Sequence, residues 1–322
     1  MKITYRIHVD GSDRTDNFSD LEMLTITDEA GEKSDSLELT LDDQDQTLEI
    51  PRKKARFKVW IGPESALVEM GEFVLDHTST TGFPAKMTLF ATASPFKSSF
   101  TRAKERSWYQ NTVGQIVGTI AGEQGLKTAI DSELVGEKID QIDQTQSDMH
   151  LLRWLSKKYD ATFKIQTGHL VFVKKGRSAS GFLPRAKVSD NILDNWTHET
   201  PPSGEYTGVR AYYIDENSER KEVTEGSDEK IFEIKFNKKN EEEARNAARN
   251  KLREIDRGSA VLRFGLTVSD RLNPAELTSG QTISVSGIRE GVDSDWLIKK
   301  ITHTFSTDGS FTSRLECESI QD

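Results

Sequence analysis

Apolar and polar residues alternate along the first hundred positions. Ile3, Tyr5, Ile7 and Val9 are separated by polar neighbours, the period of a half-buried strand. Leu37, Leu39 and Leu41 repeat the pattern in SDSLELTLDD. Phe57, Val59 and Ile61 follow, then the segments GEFVLDH and AKMTLFATA. Turn formers punctuate these runs at Asp10-Gly11, Ala30-Gly31, Gly62-Pro63 and Gly82-Phe83-Pro84. Short strands at this spacing predict an antiparallel barrel or sandwich over residues 1–100.

The period then changes. Val113, Ile116, Val117 and Ile120 fall on one helical face, with Asn111 or Thr112 as N-cap and Gly125 as the stop. A second helix starts at Ser147 or Asp148 and carries Leu151, Leu152, Leu155 and Tyr159 on one side. Lys157 and Lys158 lie near its end, where cations suit the helix dipole. The strands ATFKIQ and HLVFVKK, joined by Thr167-Gly168, read as a hairpin. Residues 101–178 are thus expected to form a small α/β domain.

Pro184, Pro201 and Pro202 mark 179–204 as loop-like, and strands return at YTGVRAYYID and KIFEIKF. A helix over 241–257 has Asn240 as cap and Glu241, Glu242 and Glu243 in its first turn. Ala244, Ala248, Leu252 and Ile255 form its apolar stripe, and Gly258 ends it. The segments AVLRFGLTV, QTISVSG, WLIKKITHTF and FTSRLECES complete a β region over 179–322. Two distant stretches also share a pattern at constant spacing. Phe57 and Val59 match Ile283 and Val285, Leu75-Asp76-His77-Thr78 matches Ile301-Thr302-His303-Thr304, and Leu89 and Ala91 match Leu315 and Cys317. The turn glycines Gly82 and Gly309 fall one position out of register. The expected class is α+β, mainly β. It comprises two similar antiparallel β-barrel, tube-like domains (1–100 and 179–322), a small α/β domain between them, and helix 241–257 inserted in the second barrel.

Composition narrows the function. With 322 residues, 34 % hydrophobic and 30 % charged, the chain is polar for a globular protein but long enough for several cores. A formal net charge of −10 disfavours a DNA-coating role, though not a channel through which DNA passes without adhering. Cys317 is the single cysteine, so no internal disulfide forms, as suits assembly in a reducing cytoplasm. No apolar run is long enough for a membrane helix, and the amino terminus has no signal-peptide core.

The ordered segments resemble the phage late control protein D family, the tail-hub proteins of temperate contractile-tailed phages. The resemblance rests on SDSLELTLDD, VWIG with MGEFVLD, GFPAKMTLFATA, RAKERSWYQNTVGQIVGTIAGEQGL, QTQSDMHLLRWLSKKYDATF, GHLVFVKKG and WLIKKITHTFSTDGSFTSRLECE, and spans nearly the whole chain. It implies a structural baseplate hub, similar to the hubs of T-even phages and to the hub portion of type VI secretion spikes. It further implies a homotrimer whose two barrels per chain form a pseudo-six-fold ring, with the tail tube protein, the central spike protein and other baseplate proteins as partners. No catalytic residue is carried over. Trp108, Ser147, Asp148 and Trp154 match family positions and read as structural: an aromatic anchor and a helix start.

Catalytic and cofactor signatures are missing: no P-loop, dinucleotide fingerprint, nucleophile elbow, HExxH or CxxC occurs. No cofactor or metal is expected. His77 and His303 could mark a shared site, but a histidine before a turn more commonly bonds the backbone there. The pairs Asp42-Asp43 and Asp293/Asp295 suit solvated loops better than a glycosidase cleft. The run Arg52, Lys53, Lys54 and Arg56 suits an acidic partner or a charged strand edge. Two other readings remain open: a tail-associated cell-wall hydrolase, and a monomeric β-rich adaptor or receptor-binding module.

Overall fold

Alternation in the first hundred residues builds β1 (Ile3–Val9), β2 (Ser12–Asp13), β3 (Leu21–Glu29), β4 (Ser36–Asp42), β5 (Arg56–Pro63), β6 (Val68–Thr81) and β7 (Lys86–Ala93). The computed structural model describes residues 2–30, 35–93, 98–166, 168–177, 181–189, 193–200, 206–257, 260–269 and 271–320. Gly31, Thr167, Pro201, Pro202 and Gly258, named above as turns or stops, lie outside them. The strands are hydrogen-bonded in the order β3-β4-β7-β6-β5-β1-β2. Ile7, Leu24, Ile26, Leu37, Leu39, Phe57, Val59, Phe73 and Leu89 point to one side and share a buried core. Each such side chain contributes roughly 1.5–3 kcal/mol through burial.

The middle of the chain forms α1 (Ser98–Thr101), β8 (Arg106–Thr112), α2 (Val113–Gln124), β9 (Lys127–Ile130), α3 (Ser132–Val135), β10 (Lys138–Gln144), α4 (Asp148–Lys158), β11 (Ala161–Gln166) and β12 (His169–Lys174). Thr112 caps α2 in a reciprocal box with Gln115, and Gly125 ends it at φ 74°. Ser147 caps α4 by accepting from the His150 amide. β11 and β12 pair as a hairpin, and β9 adds to β12 in parallel. The apolar faces of α2 and α4 bury Ile116, Val117, Ile120, Leu152 and Leu155 in a separate core with Leu170 and Phe172.

The last part contains β13 (Ala186–Ser189), β14 (Leu193–Glu199), β15 (Gly208–Ile214), β16 (Arg220–Gly226), β17 (Ile231–Lys238), α5 (Glu241–Arg257), β18 (Val261–Thr267), β19 (Thr282–Ser286), β20 (Asp295–Ser306) and β21 (Phe311–Ser319). Asn240 caps α5 by accepting from the Glu243 amide at 2.8 Å. One expectation needs correction: α5 is not inserted alone in the second β unit. β15, β16 and β17 form their own three-stranded sheet. The Ala244 and Ala248 stripe of α5 packs on Val209, Ala211 and Val223 of that sheet in a small core of its own. Two small residues on the stripe allow this close approach.

The remaining strands repeat the first unit. Unit one is ordered β3-β4-β7-β6-β5-β1, and unit two β14-β18-β21-β20-β19-β13. Chain order is the same in both once β15–β17 and α5 are set aside. Leu37, Leu39 and Leu41 correspond to Leu262, Phe264 and Leu266, each opposite its counterpart in the final strand. Phe57 and Val59 correspond to Ile283 and Val285, and Phe73 and Leu75 to Trp296 and Ile298. Even the bulges coincide, just after Leu75 in β6 and Ile298 in β20, and just after Leu21 in β3 and Leu193 in β14. The units differ at one edge: β1 is antiparallel to β5, whereas β13 is parallel to β19.

This register corrects the match of His77 to His303. His77 stands opposite Phe90 just past the bulge, the place that Lys300 holds in β20, and the counterpart of His303 is Thr80. The bulge at Asp76 also turns His77 outward, so His77 is exposed whereas His303 is buried. Gly82 and Gly309 both lie in the turns after these strands, and only Gly309 has positive φ, 80°.

Among the described residues no closed barrel forms. The outer edge of β3 could close unit one only by meeting β1, and it is occupied instead by β20 of unit two. Pairs there run from Lys300 with Glu29 to Ser306 with Met23. β20 therefore serves two neighbours along one edge, β19 at its start and β3 at its end. The result is one continuous 13-stranded sheet.

Candidate functional site

The seam between β3 and β20 gathers the polar groups that join all three parts of the chain. Asp28, near the end of β3, is enclosed by the loop after β18 and by β11. Its carboxylate accepts from Lys164, from the Thr278 and Ser279 hydroxyls, and from the Ser279 amide at 3.0 Å. Burial alone would raise this carboxyl. The Lys164 ammonium and the hydroxyls outweigh it and hold Asp28 well below the usual carboxylate range. Gly280, at φ 81°, brings the loop so close to β11 that a Cβ would stand 2.6 Å from Thr162 Cγ2.

Beside this pair lies Asp35, whose carboxylate accepts from the Glu29 amide at 3.4 Å. Burial, then the charge on Asp28, push it up to about 7. His303 sits in the seam with Nδ1 2.7 Å from Ser313 Oγ, and burial holds its imidazole down at about 4. A neutral imidazole, a protonatable carboxyl and one ion pair can fix the mutual position of the two β units and a docked domain. Nothing in this set presents a nucleophile and a base to an open cleft.

A second buried network holds the central unit. Asp148 is fully enclosed and accepts from Lys104 at 2.5 Å, Arg106 at 2.6 Å and Gln144 at 2.9 Å. The Trp108 indole donates to Gln144 Oε1 at 3.0 Å, and the Arg106 guanidinium lies 4.2 Å from the centre of its ring. Trp108 is therefore linked through Gln144 to Asp148 at the start of α4, beside the cap Ser147. Trp154 does not join them: it is half-exposed on the far part of α4, with Lys158 5.5 Å from its ring centre.

A third contact docks α5 on the central unit. Arg257 donates to Asp160 from two nitrogens, and Asn250 donates to the Lys158 carbonyl at 2.8 Å.

The other candidate groups are engaged locally. Asp293 accepts three loop amides, from Gly287, Ile288 and Arg289, while Asp295 is held by Ser284 and Arg185. Asp42 and Asp43 cap the turn that follows them. Arg52 pairs with Asp10 and Arg56 with Glu72, so half of the basic run is already neutralised. Cys317 is buried, and burial pushes its thiol up. Among the described residues no three His, Cys, Asp or Glu side chains converge as metal ligands, and no helix is long and apolar enough to cross a membrane.

The profile of the phage tail baseplate hub (GPD) family matches residues 91–309, and the chain is 30 % identical to the probable baseplate hub protein of Escherichia phage 186, over 98 % of this chain and 92 % of that protein. The chain belongs to the phage tail baseplate hub family. The fold agrees. The 43 kDa tail protein of prophage MuSo2 from Shewanella oneidensis superposes at a TM-score of 0.73 with 14 % identity, covering 98 % of each chain. An Escherichia coli component of the type VI secretion system, similar in structure to T4 tail proteins, superposes at 0.57 with 15 % identity, over 100 % of this chain and 78 % of that one. Hub relatives are structural baseplate proteins and not enzymes, and the role of this chain is structural within the tail.

Sequence reasoning passed over Asp28, Asp35, Lys164, Thr278 and Ser279. Their only sequence signal is a polar Thr-Ser-Gly run following apolar Leu277, which is common to many loops.

Proposed function

We propose that the chain is a homotrimeric hub whose two β units alternate around a central channel as a pseudo-six-fold ring, joining the six-fold tail tube to the three-fold central spike. The strand-for-strand correspondence of the two units carries this reading. Two equivalent units per chain give three copies six equivalent positions, and heterologous contacts whose rotation closes make rings. The three domains, 1–100, 101–178 and 179–322, divide the work. The outer two build the ring, and the central one braces it through Lys164, Asp160 and Lys158.

The partners are further copies of the chain, the tail tube protein above, the central spike protein below and other baseplate proteins. The site of action is the tail tip of a virion or phage-like particle, after assembly in the host cytoplasm. The net charge of −10 suits a channel wall to which DNA does not adhere. Light scattering should give three times the 36.3 kDa chain mass, alone or with tube and spike proteins, and class-averaged electron micrographs should show a ring. A monomer mass at every concentration and in every mixture refutes the reading.

A further inference from the structure

The junction of β3 with β20 inside the chain has a vacant counterpart. In β20 the early residues pair with β19 and the later ones with β3, on one and the same edge. In β6 the early residues, 68–74, pair with β5 on that edge. Among the described residues no strand pairs with the edge over 76–81. The opposite unit shows the complementary vacancy. β3 has β4 on one side and β20 on the other, whereas β14, its counterpart, has β18 alone among the described residues. One chain therefore carries one filled junction and the two halves of a second.

The two halves are chemically suited to each other. The edge of β6 reads His77-Thr78-Ser79-Thr80-Thr81, with no lysine, proline or bulge beyond Asp76 to blunt it. Threonine runs favour the strand conformation. On β14, Trp196 is 39 % exposed, although its counterpart Leu24 is 0 % exposed under the filled junction. His198 Nε2 is buried and has no hydrogen-bond partner among the described residues. A strand laid against β14 would cover Trp196.

We propose that β14 of one copy adds as an antiparallel strand to the free edge of β6 in the next copy, with Thr197 opposite Thr81 and His198 opposite Thr80. The register is that of the internal junction. There, Thr25 faces Thr304 and Ile26 faces His303. The β14 counterparts of Thr25 and Ile26 are Thr197 and His198, and the β6 counterparts of Thr304 and His303 are Thr81 and Thr80. Main-chain pairing supplies the contact, and alternate side chains supply its register. The inference rests on the homotrimer reading and adds the strands that make its interface.

The test uses the full chain with Thr81→Cys and Thr197→Cys together, and Thr25→Cys with Thr304→Cys as the internal control. Both pairs are exposed or half-exposed, and native Cys317 is buried. On mild oxidation the control should close within single chains. The test pair should run as a covalent trimer on a non-reducing gel, while each single variant gives none. A trimer mass by light scattering without interchain crosslinking, when the control closes, overturns this strand pairing and leaves the homotrimer standing. A crosslinked ladder extending past three copies upholds the pairing and removes the three-fold ring. A monomer mass without crosslinks overturns both.

Discussion

Asp35→Asn isolates the charge state of the seam. In the folded chain Asp35 titrates at about 7 against an ordinary 3.8, because it is mostly enclosed and then because it faces the Asp28 carboxylate. A raised carboxyl stabilises the fold fully below about pH 4, and that contribution is lost as pH rises through about 7. At about 1.4 kcal/mol per pH unit between the two values, the ionised side chain costs at most about 4 kcal/mol. Its partial contact with solvent lowers the figure towards about 2 kcal/mol. His303 acts in the opposite sense. Its value is lowered from 6.5 to about 4, so its contribution is present above 6.5 and lost as pH falls through about 4. The two slopes oppose each other over most of the acid range, and the parent curve alone is therefore a poor readout. The difference between variant and parent is the clean quantity. Asparagine keeps a donor towards Asp28 without the charge. Urea unfolding at pH 4, 6 and 8 should give Asp35→Asn an advantage of about 0.5 kcal/mol at pH 4, growing to about 2–4 kcal/mol at pH 8. A difference that stays constant with pH, or shrinks as pH rises, refutes the account of the seam.

Asp148→Ala should lower stability by about 3–5 kcal/mol in thermal or urea unfolding, since Lys104 and Arg106 lose the carboxylate they share. A loss under about 1 kcal/mol would mean the network is a solvated surface pair. Cys317 should resist a thiol reagent in native buffer and react at once in denaturant, because it is fully buried and its thiol is pushed up. Fast native labelling would place the last strand elsewhere.

Much of this protein was legible in its sequence because the signal is local. The alternation in Leu37, Leu39 and Leu41 fixes which face of β4 is buried wherever that strand lies. The cap at Asn240 and the alanine stripe fix α5 in the same way, and the Ser147 and Thr112 caps fix the starts of α4 and α2. The strands β2, β3, β8, β9, β10, β13, β14 and β16 escaped, β13 and β14 within the stretch 179–204 expected as loop. β2, β9 and β13 are too short to show a period, and β3 and β14 each have a bulge that breaks the alternation: the apolar positions of β3 run Leu21, Leu24, Ile26. The same kind of interruption at Asp76 hid the true register of the repeat and made His77 look like the partner of His303.

The order of the segments, read as a resemblance, was enough to indicate the hub family. Tertiary structure alone decided how the two units meet. Edge pairing is made by backbone groups that every residue carries, so no side-chain pattern announces that β20 leaves β19 and takes up β3. Nor does composition place Asp28, Lys164 and Ser279 together, because they come from three distant segments and meet only when the seam has formed.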